Sequence, residues 1–239
     1  MKTLKVILAA VLLSFVVSYA GAQVKKAPAK KPVVIKKNIG TGIRVKLTTD
    51  LGVIVIRLYD STPLHRDNFV KLVKARFFDS LLFHRVIKGF MIQGGDPLSK
   101  NAQPGEMLGM GGGDMPRIPA EFKPSLIHKK GVLAAARDGN PEKASSACQF
   151  YLVQGKVYSD AELNQLECSN RQANPDFYYT DEQRKTYKTI GGTPMLDMNY
   201  TVFGEVEKGI EVIDKIAAVA TATGDRPLAD IRMKMEVVK

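Results

Sequence analysis

The chain reads as mainly β, arranged as a closed antiparallel β-barrel. Two observations lead there. Short segments that alternate apolar and polar residues, or run apolar for four or five positions, recur from residue 43 to the C-terminus with turn residues between them. Only two main amphipathic helices interrupt them, and closing such a sheet on itself removes the exposed edges that many short strands would otherwise leave. No internal repeat is visible.

The elements follow in order. Residues 43–48 and 53–58 alternate around Asp50-Leu51-Gly52 and predict a hairpin. Thr62-Pro63 then opens a helix, with threonine as N-cap and proline at the first helical position, and Leu64, Phe69, Leu72 and Val73 on its buried side. Strands are predicted at 82–86 and 90–93. The Gly/Pro/Met-rich stretch 98–119 lacks apolar periodicity and reads as a loop. Strands resume at 131–136, 149–153 and 200–206. A helix over 208–219 carries Ile210, Ile213, Ile216 and Ala217 on one face, and the last strand alternates Ile231, Met233, Met235 and Val237 with polar residues. The polar block 155–190 is different. Ser159 with Glu162, and Thr180 with Gln183, each have the spacing of a capping box, so two short helices are expected inside one long loop. That block is read as shaping substrate choice or, equally, as surface decoration.

Upstream of the barrel the message is about export. Lys2 and Lys5 precede an apolar run over residues 6–17, and Ala20-Gly21-Ala22 offers small residues for cleavage, the order of a secretory signal peptide over 1–22. The run is short for a membrane span, which needs about 20 apolar residues. Residues 23–40 form a Lys/Pro/Ala-rich tail of disordered composition, and 41–239 the folded domain. The formal net charge is +11, from 35 basic and 24 acidic residues; eight of the lysines lie before the first strand, which leaves 27 basic residues against 24 acidic. A near-neutral domain argues against nucleic acid as a partner, because such binding needs the basic patch on the folded surface. The expected product is an exported monomer without stable membrane insertion, periplasmic or alternatively secreted. Cys148 and Cys168 permit a disulfide in that setting, and a buried thiol at Cys148 fits as well. No spacing resembles a metal site.

The chemistry concentrates in Phe83-His84-Arg85-Val86-Ile87-Lys88-Gly89-Phe90-Met91-Ile92-Gln93-Gly94-Gly95-Asp96-Pro97, one fixed cation ahead of an apolar pair, an amide and a double glycine. Three further markers follow in order: Leu133-Ala134-Ala135-Ala136-Arg137, then Cys148-Gln149-Phe150-Tyr151, then Leu196-Asp197-Met198-Asn199-Tyr200-Thr201-Val202-Phe203-Gly204. Together they resemble the cyclophilins, the cyclosporin-type peptidyl-prolyl cis/trans isomerases, over roughly residues 44–239. The resemblance implies an eight-stranded barrel with a helix over each end, rotation about X-Pro bonds as the activity, proline-containing and folding exported polypeptides as partners, and no cofactor. It places a proline pocket at Phe90, Met91, Tyr151, Leu196 and Tyr200. A polar rim follows at Arg85, Gln93 and Gln149, with Ala136 and the backbone of Arg137 along the groove. Arg85 and Gln93 become the catalytic pair.

Strand geometry supports part of this independently, since alternate residues share a face: Met91 goes with Gln93, and Gln149 with Tyr151. Taken alone, Phe90 and Met91 would read as simple core packing. The departures matter too. Met195, which the resemblance counts among the substrate-binding residues, stands where the best-known animal relatives carry tryptophan, which puts cyclosporin affinity in doubt. Tyr151 replaces a phenylalanine, Tyr200 a histidine, Arg137 an asparagine and Cys148 a serine. The competing reading is a proline-peptide binding module or holdase chaperone whose turnover is incidental; Arg85 kept beside Phe90, Met91 and Gln93 favours the enzyme.

Overall fold

The computed structural model describes residues 42–238. The signal peptide and the tail read from the sequence lie outside these residues. The described chain begins with β1 (Arg44–Thr49) and β2 (Gly52–Leu58), the expected hairpin, in which Val45, Leu47, Ile54 and Ile56 are fully buried. α1 (Pro63–Lys74) follows, then β3 (Phe83–Ile87), β4 (Met91–Gly94), β5 (Val132–Ala135) and β6 (Phe150–Val153). α2 (Asp160–Ala173) and α3 (Asp181–Thr189) occupy the polar block, and β7 (Val202–Lys208), α4 (Ile210–Ala217) and β8 (Lys234–Val238) complete the order.

The eight strands form one antiparallel sheet in the order β3-β4-β6-β5-β7-β2-β1-β8. This ladder is a half-barrel. Its outer strands β3 and β8 are not laddered to each other, so the sheet is open where the sequence implied closure. The segments preceding them do meet. Ser80 N–H donates to Met233 O at 2.8 Å, Met233 N–H to Leu81 O at 2.9 Å and Phe83 N–H to Ile231 O at 3.0 Å. Side chains alternate cleanly across β4, β5 and β6. Ile92, Leu133, Ala135, Phe150 and Leu152 enter the main core, where Phe69 of α1 packs within 6 Å of the rings of Phe78, Phe150 and Phe203. Met91, Val132, Ala134, Tyr151 and Val153 face the other way, into a second apolar cluster.

Several local expectations are corrected. In α1 the buried stripe is His65, Phe69, Leu72 and Val73, whereas Leu64 is 50% exposed. At ~100° of rotation per residue the four buried positions span about 100° of the helix, and Leu64 falls about 80° beyond their edge. Thr62 makes no side-chain cap; the carboxylate of Glu121 takes its place, accepting from Leu64 N–H at 3.1 Å and His65 N–H at 3.0 Å. The same carboxylate pairs with His65 Nδ1 at 2.7 Å, and His65 Nε2 meets Ser145 Oγ at 2.9 Å, so a polar residue is buried at the price of two satisfied contacts. In α4 the buried residues are Val212, Ile213, Ile216 and Ala217, and Ile210, at the first turn, is 40% exposed. The loop 98–119 starts with a 3-10 turn at Pro97–Asn101, which Asp96 caps by accepting from Leu98 N–H. In α2 and α3 both capping boxes form. Both cysteines are free, Cys148 buried and Cys168 exposed.

His84 carries a pH prediction. Among the described residues neither of its buried ring nitrogens has a partner, and desolvation lowers its pKa to about 4. Because the folded value is depressed, the unfolded chain binds the extra proton below about pH 6.5, and stability falls as pH drops from there towards 4. The expected loss from this residue is about 2 kcal/mol by pH 5. Urea unfolding at pH 7 and pH 5 measures it, and His84→Phe should flatten the slope; His65, lowered in the same direction by burial, supplies part of what remains.

Candidate functional site

Register puts the candidate residues in one row. Arg85 on β3 lies opposite Gln93 on β4, Gln93 opposite Tyr151 on β6, Tyr151 opposite Ala134 on β5, and Ala134 opposite Val202 on β7. Residues directly opposite on antiparallel strands present their side chains to the same face. The row therefore grades from an exposed guanidinium through an amide to a phenol and then to aliphatic carbon. A charged donor is set at the margin of an apolar floor.

That floor is the second apolar cluster. Met91, Tyr151 and Ala136 are buried within it, and Phe90, Leu196 and Tyr200 pack against it half-buried. The six come from four separate parts of the sequence and converge here, together with Tyr59, Val132, Val153 and Val202. Tyr200 meets Tyr151 edge-on at 6.0 Å, and the Arg137 guanidinium lies 4.6 Å from the centre of the Tyr200 ring. Arg137 also donates through Nε to Asn199 O at 2.9 Å, so its side chain, and not solely its backbone, braces the groove. Met195 stands apart from the cluster. It is 41% exposed, with the Tyr158 hydroxyl 4.0 Å from its sulfur.

The polar rim is built from below. Gln93 Nε2 donates to Gln149 Oε1 at 3.0 Å, and Gln149 Nε2 donates to Gly109 O at 2.9 Å and Gly111 O at 3.0 Å. Gln149 is 8% exposed, so its amide holds the 98–119 loop in place and leaves Gln93 as the more open of the pair. The loop is anchored a second time by the buried Asp96 carboxylate, which accepts from Leu98 N–H and Gly109 N–H. The approach of β4 to residue 148 depends on Gly95. Its φ is +94°, and a Cβ there would sit 2.1 Å from Cys148 O. The double glycine brings the two glutamines together.

Arg85 is half-exposed, with Asp225 Oδ2 3.4 Å from its Nε. Behind the floor, the Tyr151 hydroxyl lies 3.0 Å from His128 Nε2, and His128 Nδ1 lies 2.8 Å from Asp197 Oδ1. Burial first, then the neighbouring Tyr200 and Asp197, push the Tyr151 phenol well above the usual range, so it remains protonated. Burial likewise raises the Cys148 thiol, which makes it a poor nucleophile. His128, Asp225 and the carbonyls of Gly109 and Gly111 escaped sequence reasoning. Asp197 sits inside a quoted marker, and that was its one available signal; His128 and Asp225 are brought in by non-local pairing alone. Among the described residues no group of three or more His, Cys, Asp or Glu could hold a metal ion.

This geometry agrees with what the chain is similar to. Residues 44–237 match the model of the family described as cyclophilin type peptidyl-prolyl cis-trans isomerase/CLD. A candidate peptidyl-prolyl cis-trans isomerase of Staphylococcus haemolyticus (strain JCSC1435) is 33% identical over 192 residues, 79% of this chain and 87% of that protein. A Cryptosporidium parvum cyclophilin type peptidyl-prolyl cis-trans isomerase superposes with a TM-score of 0.60 at 22% identity, covering 83% of this chain and 98% of that one. Its structure in the presence of the dipeptide Ala-Pro gives a TM-score of 0.57 at 22% identity, over 82% and 99%.

Proposed function

From the premise that the chain belongs to the cyclophilin-type peptidyl-prolyl cis-trans isomerases, we propose how its own residues perform the isomerisation and on what. An X-Pro bond turns over in tens to hundreds of seconds because rotation breaks amide resonance. In the twisted transition state the proline nitrogen becomes pyramidal and regains a lone pair. A donor aimed at that nitrogen binds the twisted form better than either planar form, which is what acceleration requires.

Arg85 supplies the donor, a planar guanidinium whose N–H groups form a fixed fork. Gln93, held by Gln149, bonds the substrate backbone. Phe90, Met91, Tyr151, Leu196 and Tyr200 take the proline ring, while Ala136 and Arg137 line the path of the preceding residues. The observation that carries this reading is the row Arg85, Gln93, Tyr151, with its apolar cluster at one end and an exposed guanidinium at the other. The same reading takes the sheet to complete a closed barrel with a helix over each end; the hydrogen bonds between residues 80–83 and 231–233 support it. The substrates are exported proteins during folding, and the site of action is the periplasm or the exterior. The leader-like residues 1–22 support that assignment. The Ala-Pro dipeptide used with the Cryptosporidium protein suggests the probe.

The test is a protease-coupled assay on an Ala-Pro peptide. Turnover expected of an enzyme supports the proposal, and peptide binding without turnover would favour a binding module instead. A fractionated culture with an antibody to this chain checks the compartment, and recovery in the cytosol alone would sink the export assignment.

A drug-binding prediction follows from Met195. Cyclosporin should inhibit weakly, because methionine lacks the indole N–H that tryptophan can offer a carbonyl. Met195→Trp should tighten inhibition about tenfold, an aromatic contact plus one hydrogen bond. Turnover should stay within about twofold, since Met195 lies outside the apolar cluster. Inhibition constants for both forms decide it, and tight binding by the unmodified protein would refute the argument.

A further inference from the structure

The helical block 155–190 is tied to the pocket floor by a chain of buried hydrogen bonds. Tyr187 on α3 donates its hydroxyl to Asp197 Oδ2 at 2.6 Å. Asp197 Oδ1 accepts from the backbone N–H of His128 at 2.8 Å and faces His128 Nδ1 at 2.8 Å. His128 Nε2 meets the Tyr151 hydroxyl at 3.0 Å, with the two rings stacked at 6.1 Å. Tyr187 and His128 are 0% exposed, Asp197 3% and Tyr151 4%. A second tie runs alongside: the Tyr179 hydroxyl donates to Pro194 O at 3.0 Å, and Thr193 N–H donates to His128 O at 2.8 Å. The turn that carries Leu196 therefore hangs from the same block.

The chemistry of the groups fits them into one chain. A carboxylate only accepts, so Tyr187 and His128 Nδ1 must donate to it. With Nδ1 carrying the proton, His128 Nε2 can accept from the Tyr151 hydroxyl. The Tyr151 ring is held through its hydroxyl and by contact with the rings of His128 and Tyr200. Phenylalanine at 151 or 187 would fill nearly the same space without needing a buried partner. A buried hydroxyl is costly unless paired, so the two phenols are accounted for by the chain they terminate.

We propose that Tyr187, Asp197 and His128 are positioning residues for the isomerase site, fixing the Tyr151 floor so that α2 and α3 help set how tightly a proline ring is held. This rests on the isomerase reading above. It assigns the helical block a role in substrate affinity in place of surface decoration. Tyr187 touches no substrate; it acts through Tyr151.

A double-mutant cycle on the full chain tests the coupling, with the Ala-Pro peptide as probe and at a temperature below every variant's unfolding. Tyr187→Phe should lower kcat/KM about fivefold, chiefly through a higher KM. In a Tyr151→Phe background the same change should have less than about a twofold effect, because the chain is already cut. Equal effects in both backgrounds would overturn the proposal, since a purely structural role does not depend on the Tyr151 hydroxyl. A second measurement needs no variant. With 13C-labelled tyrosine, the Tyr187 signal should shift as Ala-Pro peptide saturates the pocket, with the same midpoint as Tyr151. A Tyr187 signal that stays fixed overturns the proposal. Absence of turnover in the unmodified protein would instead defeat the isomerase reading, and the labelled-tyrosine titration would still report on the coupling.

Discussion

Arg85→Ala lowers kcat/KM on an Ala-Pro peptide by about 100-fold or more, the loss typical when one preorganised donor to a developing charge is removed. Arg85 is the charged donor of the row Arg85, Gln93, Tyr151, and it stands at the margin of the apolar cluster where a proline ring would sit. On the proposed mechanism its loss should appear in kcat more than in KM, because the interaction would strengthen only as the proline nitrogen becomes pyramidal. Arg85→Lys keeps the charge but not the planar fork, so it should recover a minor part of the activity. The fold should be unaffected. The contact with Asp225 joins two half-exposed groups at 3.4 Å, and such pairs contribute about 0–1 kcal/mol. Unchanged turnover in Arg85→Ala, with an unchanged unfolding midpoint, would remove Arg85 from the mechanism.

Gly95→Ala is expected to be among the most damaging single changes to the framework. The position combines a φ of +94° with a backbone carbonyl, Cys148 O, 2.1 Å from where the new methyl group would lie. A flexible side chain could move aside, but this neighbour is main chain leading into β6. The expected cost is about 3 kcal/mol or more, from left-handed strain and the forced displacement together. Function should fall beyond what stability explains. Moving residue 148 away from β4 separates Gln149 from Gln93, now 3.0 Å apart, and loosens the loop that Gln149 holds through Gly109 and Gly111. Urea unfolding and kcat/KM measured on the same preparations test both halves. A variant with wild-type stability would show that the chain relaxes there more easily than the geometry implies.

Local signals in the sequence report structure well where a short-range mechanism produces them. Alternation gave β1 and β2 because burial of every second residue leaves a period of two, and Ser159/Glu162 and Thr180/Gln183 gave the starts of α2 and α3 because a capping box is complete within four residues. Thr62 had the same local look and failed as a side-chain cap. Its place was taken by Glu121, 56 residues from His65, and no local pattern reports a partner at that distance. Leu64 and His65 failed for a related reason. A histidine is buried when something pairs both its nitrogens, and Glu121 and Ser145 arrive from other loops.

By itself, then, the sequence determined the element order, the mainly β class and the four markers whose residues meet in one site, because periodicity, capping and turn chemistry are properties of neighbouring residues. Tertiary structure alone decided the strand order β3-β4-β6-β5-β7-β2-β1-β8, and with it the row that lines up Arg85, Gln93 and Tyr151. It alone buried Gln149 under two glycine carbonyls, set Met195 outside the cluster, and joined Tyr187 to Tyr151 through Asp197 and His128. Each of these is a contact between residues distant along the chain. A buried polar group must find a partner wherever the fold provides one, and which group that is depends on register and burial that exist only once the chain has closed on itself.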